Sequence, residues 1–508
     1  MSIEPSILAR PRERGRDLLR WNGSLFRSGL LVLFFSAAAF AVMGYHPGLE
    51  DDGIYLSAVQ RDLNPALYPH DAAFFRLQAQ ATVFDKCLAE FVRCTGIPVA
   101  GAELLGQCTC ILLIVFACWR IACLLFNEEV ARWAGVAMVA AMFSLPVAGT
   151  ALYLADLHLH PRNVATALIL LAVWRVLAGR AGQAASLLAA GILFHPLMGA
   201  MGAAFCVILA LALRRHPGAE AMPPWPAALV PLGWFFAPAT PPWRKALALK
   251  PYISLYKWAW YEWLGALAPL LLFWLLWRYA RRRSETRLAR FALAVLGYGL
   301  LMQSFAFLVL TPPQFVRLTP LQPMRYLQLI YYFLALAGGA LAGRHLLKAH
   351  AGRWAVYLVA INGAMLAAHS AQFSACPHLE LPWVHSSNPW LQSFAWVRKN
   401  TPVDAYFAVG PHYLAAPGED YHSFRALAER SQLADALKDT ATVTLAPQLA
   451  PEWNREVEAQ RGWQHFKLAD FERLRREFGV DWVLVAYPAP AGLLCRWHNR
   501  LLSVCQVP

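Results

Sequence analysis

Residues 28–53 read SGLLVLFFSAAAFAVMGYHPGLEDDG. An apolar run, about 28–45, gives way to His46-Pro47-Gly48 and then to three consecutive carboxylates, Glu50, Asp51 and Asp52. A run of that length is what crossing about 30 Å of hydrocarbon requires. Arginines precede it at Arg10, Arg12, Arg14, Arg16, Arg20 and Arg27. A cleaved signal peptide is the competing reading, but Tyr45-His46-Pro47-Gly48-Leu49 is a poor small-residue cleavage site. The expectation is a retained first membrane helix with its N-terminus in the cytoplasm.

Outward from this stretch the chain repeats the pattern. Further spans are predicted at about 99–126, 130–150, 163–179, 183–196, 197–213, 225–238, 261–279, 288–311, 324–343 and 353–371, about eleven in all. Proline breaks a helix by removing a donor and crowding the preceding turn, so Phe194-His195-Pro196 splits 183–213 into two short helices. Composition agrees. The 508 residues are 58% hydrophobic and 15% charged, against about 25% charged in a typical soluble domain. The net charge of +14 sits largely in short segments between apolar blocks, which points to topology rather than to nucleic acid. Arg175 and Arg180, Arg214 and Arg215, Arg281–Arg283 with Arg287 and Arg290, and Arg344 with Lys348 and Arg353 fall on the side of the N-terminus. The positive-inside rule makes that side cytoplasmic. The loops at about 46–98, 150–162, 239–260 and 312–323 then lie outside, as does everything after about 371.

From about 372 the long apolar runs stop and acidic residues become common. The expected organisation is a membrane domain over 1–371 and a small extracytoplasmic α/β domain over 372–508. Helices are expected at 389–399, 452–463 and 468–478, and strands at 405–409, 480–486, 493–497 and 501–505, with Asn499 turning a hairpin. Cys376, Cys495 and Cys505 would meet an oxidising compartment there and allow one disulfide, whose pairing the sequence leaves open.

Polar residues crowd the outer loops. Glu50, Asp51 and Asp52 repel one another, which a hard cation such as Mg²⁺ or Mn²⁺, or a donor group on a substrate, would relieve. A solvated acidic cap is the plain alternative. Asp156-Leu157-His158-Leu159-His160-Pro161-Arg162 gathers a carboxylate, two imidazoles and a guanidinium between two apolar runs. Glu50, Asp52, Asp156, His158 and His160 are therefore the candidate metal ligands, and the histidines are also candidate proton shuttles. Arg162, opening the next helix, suits a phosphate. His195 lies at membrane depth, where an imidazole marks a site or caps the broken helix. Glu262 within Trp258-Ala259-Trp260-Tyr261-Glu262-Trp263 joins the same cavity or marks the interface. Arg317 and Arg325 put positive charge at the outer mouth, for a phosphate or for lipid headgroups.

Together these features resemble the GT-C superfamily of membrane glycosyltransferases, which includes protein mannosyltransferases, aminoarabinose transferases and oligosaccharyltransferase catalytic subunits. The likeness rests on one helix followed by the loop that opens Glu50-Asp51-Asp52, a second acidic outer loop at Asp156, Arg162, His195-Pro196, Trp260-Tyr261-Glu262-Trp263 and an outer α/β tail. It covers most of the chain. The tail's Trp396-Val397-Arg398-Lys399-Asn400-Thr401-Pro402-Val403-Asp404-Ala405, with Phe424-Arg425 and Arg430-Ser431, looks like that of bacterial proteins of this type. The chain lacks the Trp-Trp-Asp signature of the oligosaccharyltransferases. The resemblance implies a polyprenyl-phosphate sugar donor, Asp51 or Asp52 as general base, Asp156 binding a divalent cation or orienting the acceptor, and Arg317 or Arg325 holding the leaving phosphate. It also implies residence in the bacterial inner membrane. Two other readings remain open: a transporter or lipid flippase, against which stands the want of an internal repeat, and a non-catalytic scaffold or sugar-lipid binder.

Overall fold

The computed structural model describes residues 11–213 and 239–508, with side chains from residue 25 onward. Seven helices among them are long and apolar enough to cross a membrane: Leu25–Met43, Val99–Leu125, Pro196–Leu213, Trp260–Arg282, Thr286–Leu310, Pro323–Leu347 and Ala351–Gln372. Their outward faces carry large apolar side chains, among them Leu30, Phe34, Leu264, Leu271, Leu300 and Val359. Such a belt is what lipid, not water, covers, and the chain is a multi-pass membrane protein.

The expected count of about eleven is not reached among the described residues. The span expected at 225–238 lies outside them. Ala181–Phe194 is apolar but short, and Pro161–Leu177 has 17 residues. The span expected over 130–150 ends after 13 residues, at Ala141. Beyond it Pro146 cannot continue a helix, and the chain turns through left-handed Gly149 and Ala151 into two short antiparallel strands, β1 (Pro146–Val147) and β2 (Leu152–Tyr153). The predicted break at His195 is present, with helices ending at Phe194 and restarting at Pro196. Close helix packing depends on small residues. A Cβ at Gly339 would lie 2.5 Å from the carbonyl of Ala134, and one at Gly135 2.6 Å from that of Leu336.

The first outer loop folds as three helices, Asp52–Leu63, Ala73–Ala79 and Phe84–Thr95. The tail holds a five-stranded sheet: β3 (Tyr406–Ala408), β4 (Ser431–Gln432), β5 (Trp482–Ala486), β6 (Leu494–His498) and β7 (Leu502–Gln506), in the order β4-β3-β5-β7-β6. β3 runs parallel to β4 and β5, while β5/β7 and β7/β6 are antiparallel. Asn499 accepts from the amides of Leu501 and Leu502, each at 2.9 Å, and so turns the last hairpin. Cys495 and Cys505, directly opposite across β6 and β7, form a disulfide.

Backbone pairing fastens this tail to the membrane helices. Tyr45 donates to the carbonyl of His378 and accepts from Glu380, at 3.1 and 2.9 Å. Glu50 donates to Tyr421 and Ser423 to Gly48, at 2.9 and 2.8 Å. Gly48 is left-handed, with φ +80°, and a Cβ there would strike Leu427.

The deepest tie is ionic. Arg425, 2% exposed, donates from Nε to Asp71 Oδ2 at 2.6 Å and from Nη1 to Asp439 Oδ1 at 3.0 Å. Asp71 belongs to the first outer loop and Asp439 opens the tail helix Asp439–Leu445. Removing one partner of a buried ionic network strands the others and costs about 3–5 kcal/mol. Arg425→Met should therefore lower the melting temperature sharply and open the 372–438 region to protease. An unchanged melt would show that the tail docks by other means.

Candidate functional site

Beneath the tail lies a cavity of about 570 Å³. Its wall takes Glu50, Asp51 and Tyr55 from the first outer loop, His160 and Arg162 from the second, His195 from the helix break, Lys250 and Tyr252 from the third, Gln322 and Arg325 from the fourth, and Tyr421 and Lys438 from the tail. Segments from nearly the whole chain meet at one chamber at the tail-facing ends of the helices.

The second outer loop is built around Arg162. Its guanidinium holds Asp156 in a two-pronged pair, Nε to Oδ2 at 2.9 Å and Nη2 to Oδ1 at 2.6 Å. Asn163 and Gln107 fix the loop from behind: the Asp156 amide donates to Asn163 Oδ1 at 2.9 Å, and Gln107 Nε2 donates to the Asp156 carbonyl at 2.8 Å. His160 precedes the helix Pro161–Leu177 and accepts from the amide of Arg162 through Nδ1 at 3.0 Å. With Nδ1 accepting, the neutral ring carries its hydrogen on Nε2, which faces Asp51 Oδ2 at 3.7 Å. Burial and the neighbouring Arg162 hold His160 well below the usual histidine range.

Asp51 and Glu50 are the carboxylates of the chamber wall, and Asp51 is the one beside the second loop. Lys438 reaches it from the tail at 3.3 Å and reaches Glu50 at 3.0 Å, while Arg162 stands 3.8 Å away. Burial alone would raise the Asp51 carboxyl, but Lys438, then His160 and Arg162, hold it well below the ordinary carboxylate range. Asp51 is thus an ionised acceptor on the cavity wall. Arg325 and Lys250 line the same wall, and among the described residues neither has a carboxylate within salt-bridge reach. Arg325 Nε is buried without a hydrogen-bond partner. A wall that carries two cations without salt-bridge partners is chemically suited to an anion.

Several expected site residues stand elsewhere. Asp52 turns away from the cavity: it is 2% exposed and accepts from the Gly48 amide at 2.6 Å. Burial raises its carboxyl, against the pull of His158 and the Gly48 amide. Glu262 caps its own helix, accepting from the Ala259 amide at 2.7 Å. Arg317 lies buried over the Trp243 ring, 4.6 Å from its centroid, and does not line the chamber. His195 lines it while its Nδ1 accepts from the Met198 amide at 3.4 Å, capping the helix that restarts there.

The residues of the expected metal set do not gather, among the described residues, into a group of three with donor atoms within 4.8 Å of one another. Both Asp156 oxygens are taken by Arg162, His160 Nδ1 by an amide, Asp52 Oδ2 by Gly48 and Glu50 by Lys438. Only His158 keeps both ring nitrogens without partners, and it does not line the chamber. Lys438 and Lys250 are absent from the sequence expectations. Lys250 carried a signal, since a lysine in an outer loop runs against the positive-inside rule. Lys438 carried none, because it arrives by docking of the tail.

Comparisons with protein-family models and with curated proteins each return no match. Among solved structures, the chain is similar to the archaeal oligosaccharyltransferase AglB from Archaeoglobus fulgidus in complex with an inhibitory peptide and a dolichol-phosphate. The TM-score is 0.44 at 12% identity, over 90% of this chain and 69% of that one. It is also similar to the Archaeoglobus fulgidus oligosaccharyltransferase complexed with Zn and sulfate, with TM-score 0.43 at 11% identity, over 90% of this chain and 68% of that one. The apo form of that enzyme matches with TM-score 0.40 at 10% identity, over 90% and 69%. Likeness at this level says nothing of activity, which must be read from the cavity.

The depressed pKa of Asp51 fixes a sign. A carboxylate that titrates lower when folded adds stability above its unfolded pKa, about 3.9, and loses it as pH falls through the lower folded value. Asp51→Asn should flatten the acid side of a melting-temperature profile. Lys438→Met should move the acid loss to higher pH, because the first of the cations opposing burial is gone. Identical acid limbs in wild type and Lys438→Met would rule out this pairing.

Proposed function

We propose that the chain is a membrane glycosyltransferase of GT-C type that moves a sugar from a polyprenyl-phosphate donor to an acceptor hydroxyl at the extracytoplasmic face. The observation that carries this is a chamber whose wall sets the carboxylate Asp51, paired with Lys438, together with Arg325 and Lys250, which have no salt-bridge partner among the described residues. The donor's phosphate sits against Arg325 and Lys250 and its lipid lies along the helices. The acceptor hydroxyl gives its hydrogen to Asp51 as its oxygen bonds to the anomeric carbon. The bond from that carbon to the phosphate oxygen breaks, its electron pair leaves with the lipid phosphate, and the anomeric centre inverts. A positioned base contributes about 10²–10⁴-fold, and fixed positive charge on the leaving phosphate at least as much. His160 and Arg162 hold Asp51 in place, and Asp156 orients Arg162. Because the expected cation ligands do not gather into one close group among the described residues, charge in this reading is neutralised by side chains.

Residues 1–371 act as the membrane part and 372–508 as an extracytoplasmic part that closes the chamber. The Cys495–Cys505 disulfide supports an oxidising compartment for the tail, and the basic loops support a cytoplasmic N-terminus. The residence proposed is the bacterial inner membrane.

The test uses purified protein in lipid nanodiscs, a panel of polyprenyl-phosphate sugars and candidate acceptors, with release of free polyprenyl phosphate as the readout. Asp51→Asn should lower turnover by about 10²–10⁴-fold and Arg325→Ala by about 10²–10³-fold. Asp52→Asn should act mainly on stability, and added Mg²⁺ or Mn²⁺ should not raise the rate. Equal turnover in Asp51→Asn and wild type would remove the base assignment. Labelled donor crossing vesicles without a covalent product would replace the enzyme by a transporter.

A further inference from the structure

A second cluster lies outside the chamber, where the first membrane helix, the segment after the last one and the tail converge. Glu380 Oε1 is 2.6 Å from His46 Nδ1 and 3.0 Å from His422 Nε2, and Oε2 is 3.1 Å from the same His422 nitrogen. The two imidazoles are fully buried and the carboxylate nearly so. All three ligand atoms lie within 4.8 Å of one another, the one such group among the described residues.

The far nitrogens of both rings decide what the cluster is for. His422 Nδ1 lies 3.1 Å from the backbone carbonyl of Glu419. A carbonyl can only accept, so Nδ1 carries the hydrogen. In the neutral ring the Nε2 lone pair is then aimed at a carboxylate. His46 Nε2 lies 3.0 Å from His369 Nε2; when it donates there, the Nδ1 lone pair of His46 is aimed at the same carboxylate. Three Lewis-basic atoms thus converge, held together by a proton on an imidazole in the metal-free protein and open to a cation in its place. Histidines that bind metals nearly always give their other N–H to a carbonyl, carboxylate or similar acceptor, which fixes the tautomer. His422 is held in that way by the Glu419 carbonyl, and His46 is held so in the tautomer in which His369 Nε2 accepts.

We infer that His46, Glu380 and His422 form a zinc site, with Glu419 and His369 as the groups that orient the two imidazoles. Two imidazoles and one carboxylate suit Zn²⁺ better than Mg²⁺ or Ca²⁺. Tetrahedral bonds of about 2.0–2.2 Å set ligand atoms about 3.3–3.6 Å apart, so on binding the 2.6 Å His46–Glu380 contact opens by about 0.7–1 Å and the 3.0 Å His422–Glu380 contact by about half that. Water fills the fourth position. Cys376 is no ligand: its Sγ lies 3.9 Å from the wrong nitrogen of His422 and accepts from Asn388 Nδ2 at 3.0 Å. The ion staples three segments far apart in the chain. His46 stands four residues before Glu50 and His422 one after Tyr421, so the staple sets two walls of the chamber without entering it.

The test needs no turnover. Full-length protein in nanodiscs is stripped with chelator, reloaded with zinc sulfate and dialysed, and its metal content is measured. Wild type, Asp51→Asn and Cys376→Ser should retain close to one zinc per chain, and Glu380→Gln and His422→Gln should retain little. X-ray absorption at the zinc edge should show nitrogen and oxygen neighbours, including imidazole. Chelation should lower the melting temperature of wild type and not of Glu380→Gln. Should both variants fail to fold, the wild-type metal content and absorption spectrum still decide. Wild type that holds no zinc, a sulfur neighbour, or full zinc in Glu380→Gln would each overturn the site.

Discussion

The architecture depends on one buried guanidinium. Arg425 belongs to the tail, yet its two carboxylate partners come from opposite ends of the sequence, Asp71 in the first outer loop and Asp439 in the tail. Such a network is weak evidence of net stability, since desolvating three charges costs much of what their attraction returns. Its strength lies in specificity: a shifted docking geometry would strand charges in an apolar setting. Asp439 also fixes its neighbour. With Asp439 locked, Lys438 has one direction left, and that direction is the chamber where Glu50 and Asp51 wait.

The chamber's chemistry follows from how its charges are shared. Arg162 is neutralised from behind by Asp156, and Lys438 from the front by Glu50 and Asp51. What is left over is positive, at Arg325 and Lys250. The wall thus holds its carboxylates against Lys438 at one place and carries cations without salt-bridge partners at another. Asp52, one residue from Asp51, shares none of this, because the start of a helix sends consecutive side chains in different directions.

The membrane class was legible because apolar runs near 20 residues have few other uses. The span over 130–150 misled because composition stayed apolar while Pro146, Gly149 and Ala151 ended the helix, and hydropathy does not register backbone geometry. In the tail the expected helices and strands formed within a few residues of their predicted places, since alternation and turn residues are local signals. Asp51, His160, Arg162, His195 and Arg325 meet at one cavity; each sits at a helix end or break in an outer loop, which the sequence could place. Glu262 and Arg317 have the same sequence character but spend themselves on a cap and a ring face. Lys438, Glu380 and His422 could not have been placed: Lys438 and Glu380 reach partners hundreds of residues away, and His422 reaches Glu380 across 42 residues, all by tertiary docking.

Lys438 on the chamber wall has a consequence in time. The membrane helices are made first, and a chain halted at Gln372 would already own Asp51, Arg162, His195 and Arg325. It would not own the lysine that balances Glu50 and Asp51, nor the arginine that seats it. The chamber is therefore closed only once the segment from Tyr421 to Lys438 has been made. Until then two neighbouring carboxylates stand side by side in an open cleft without the cation that balances them.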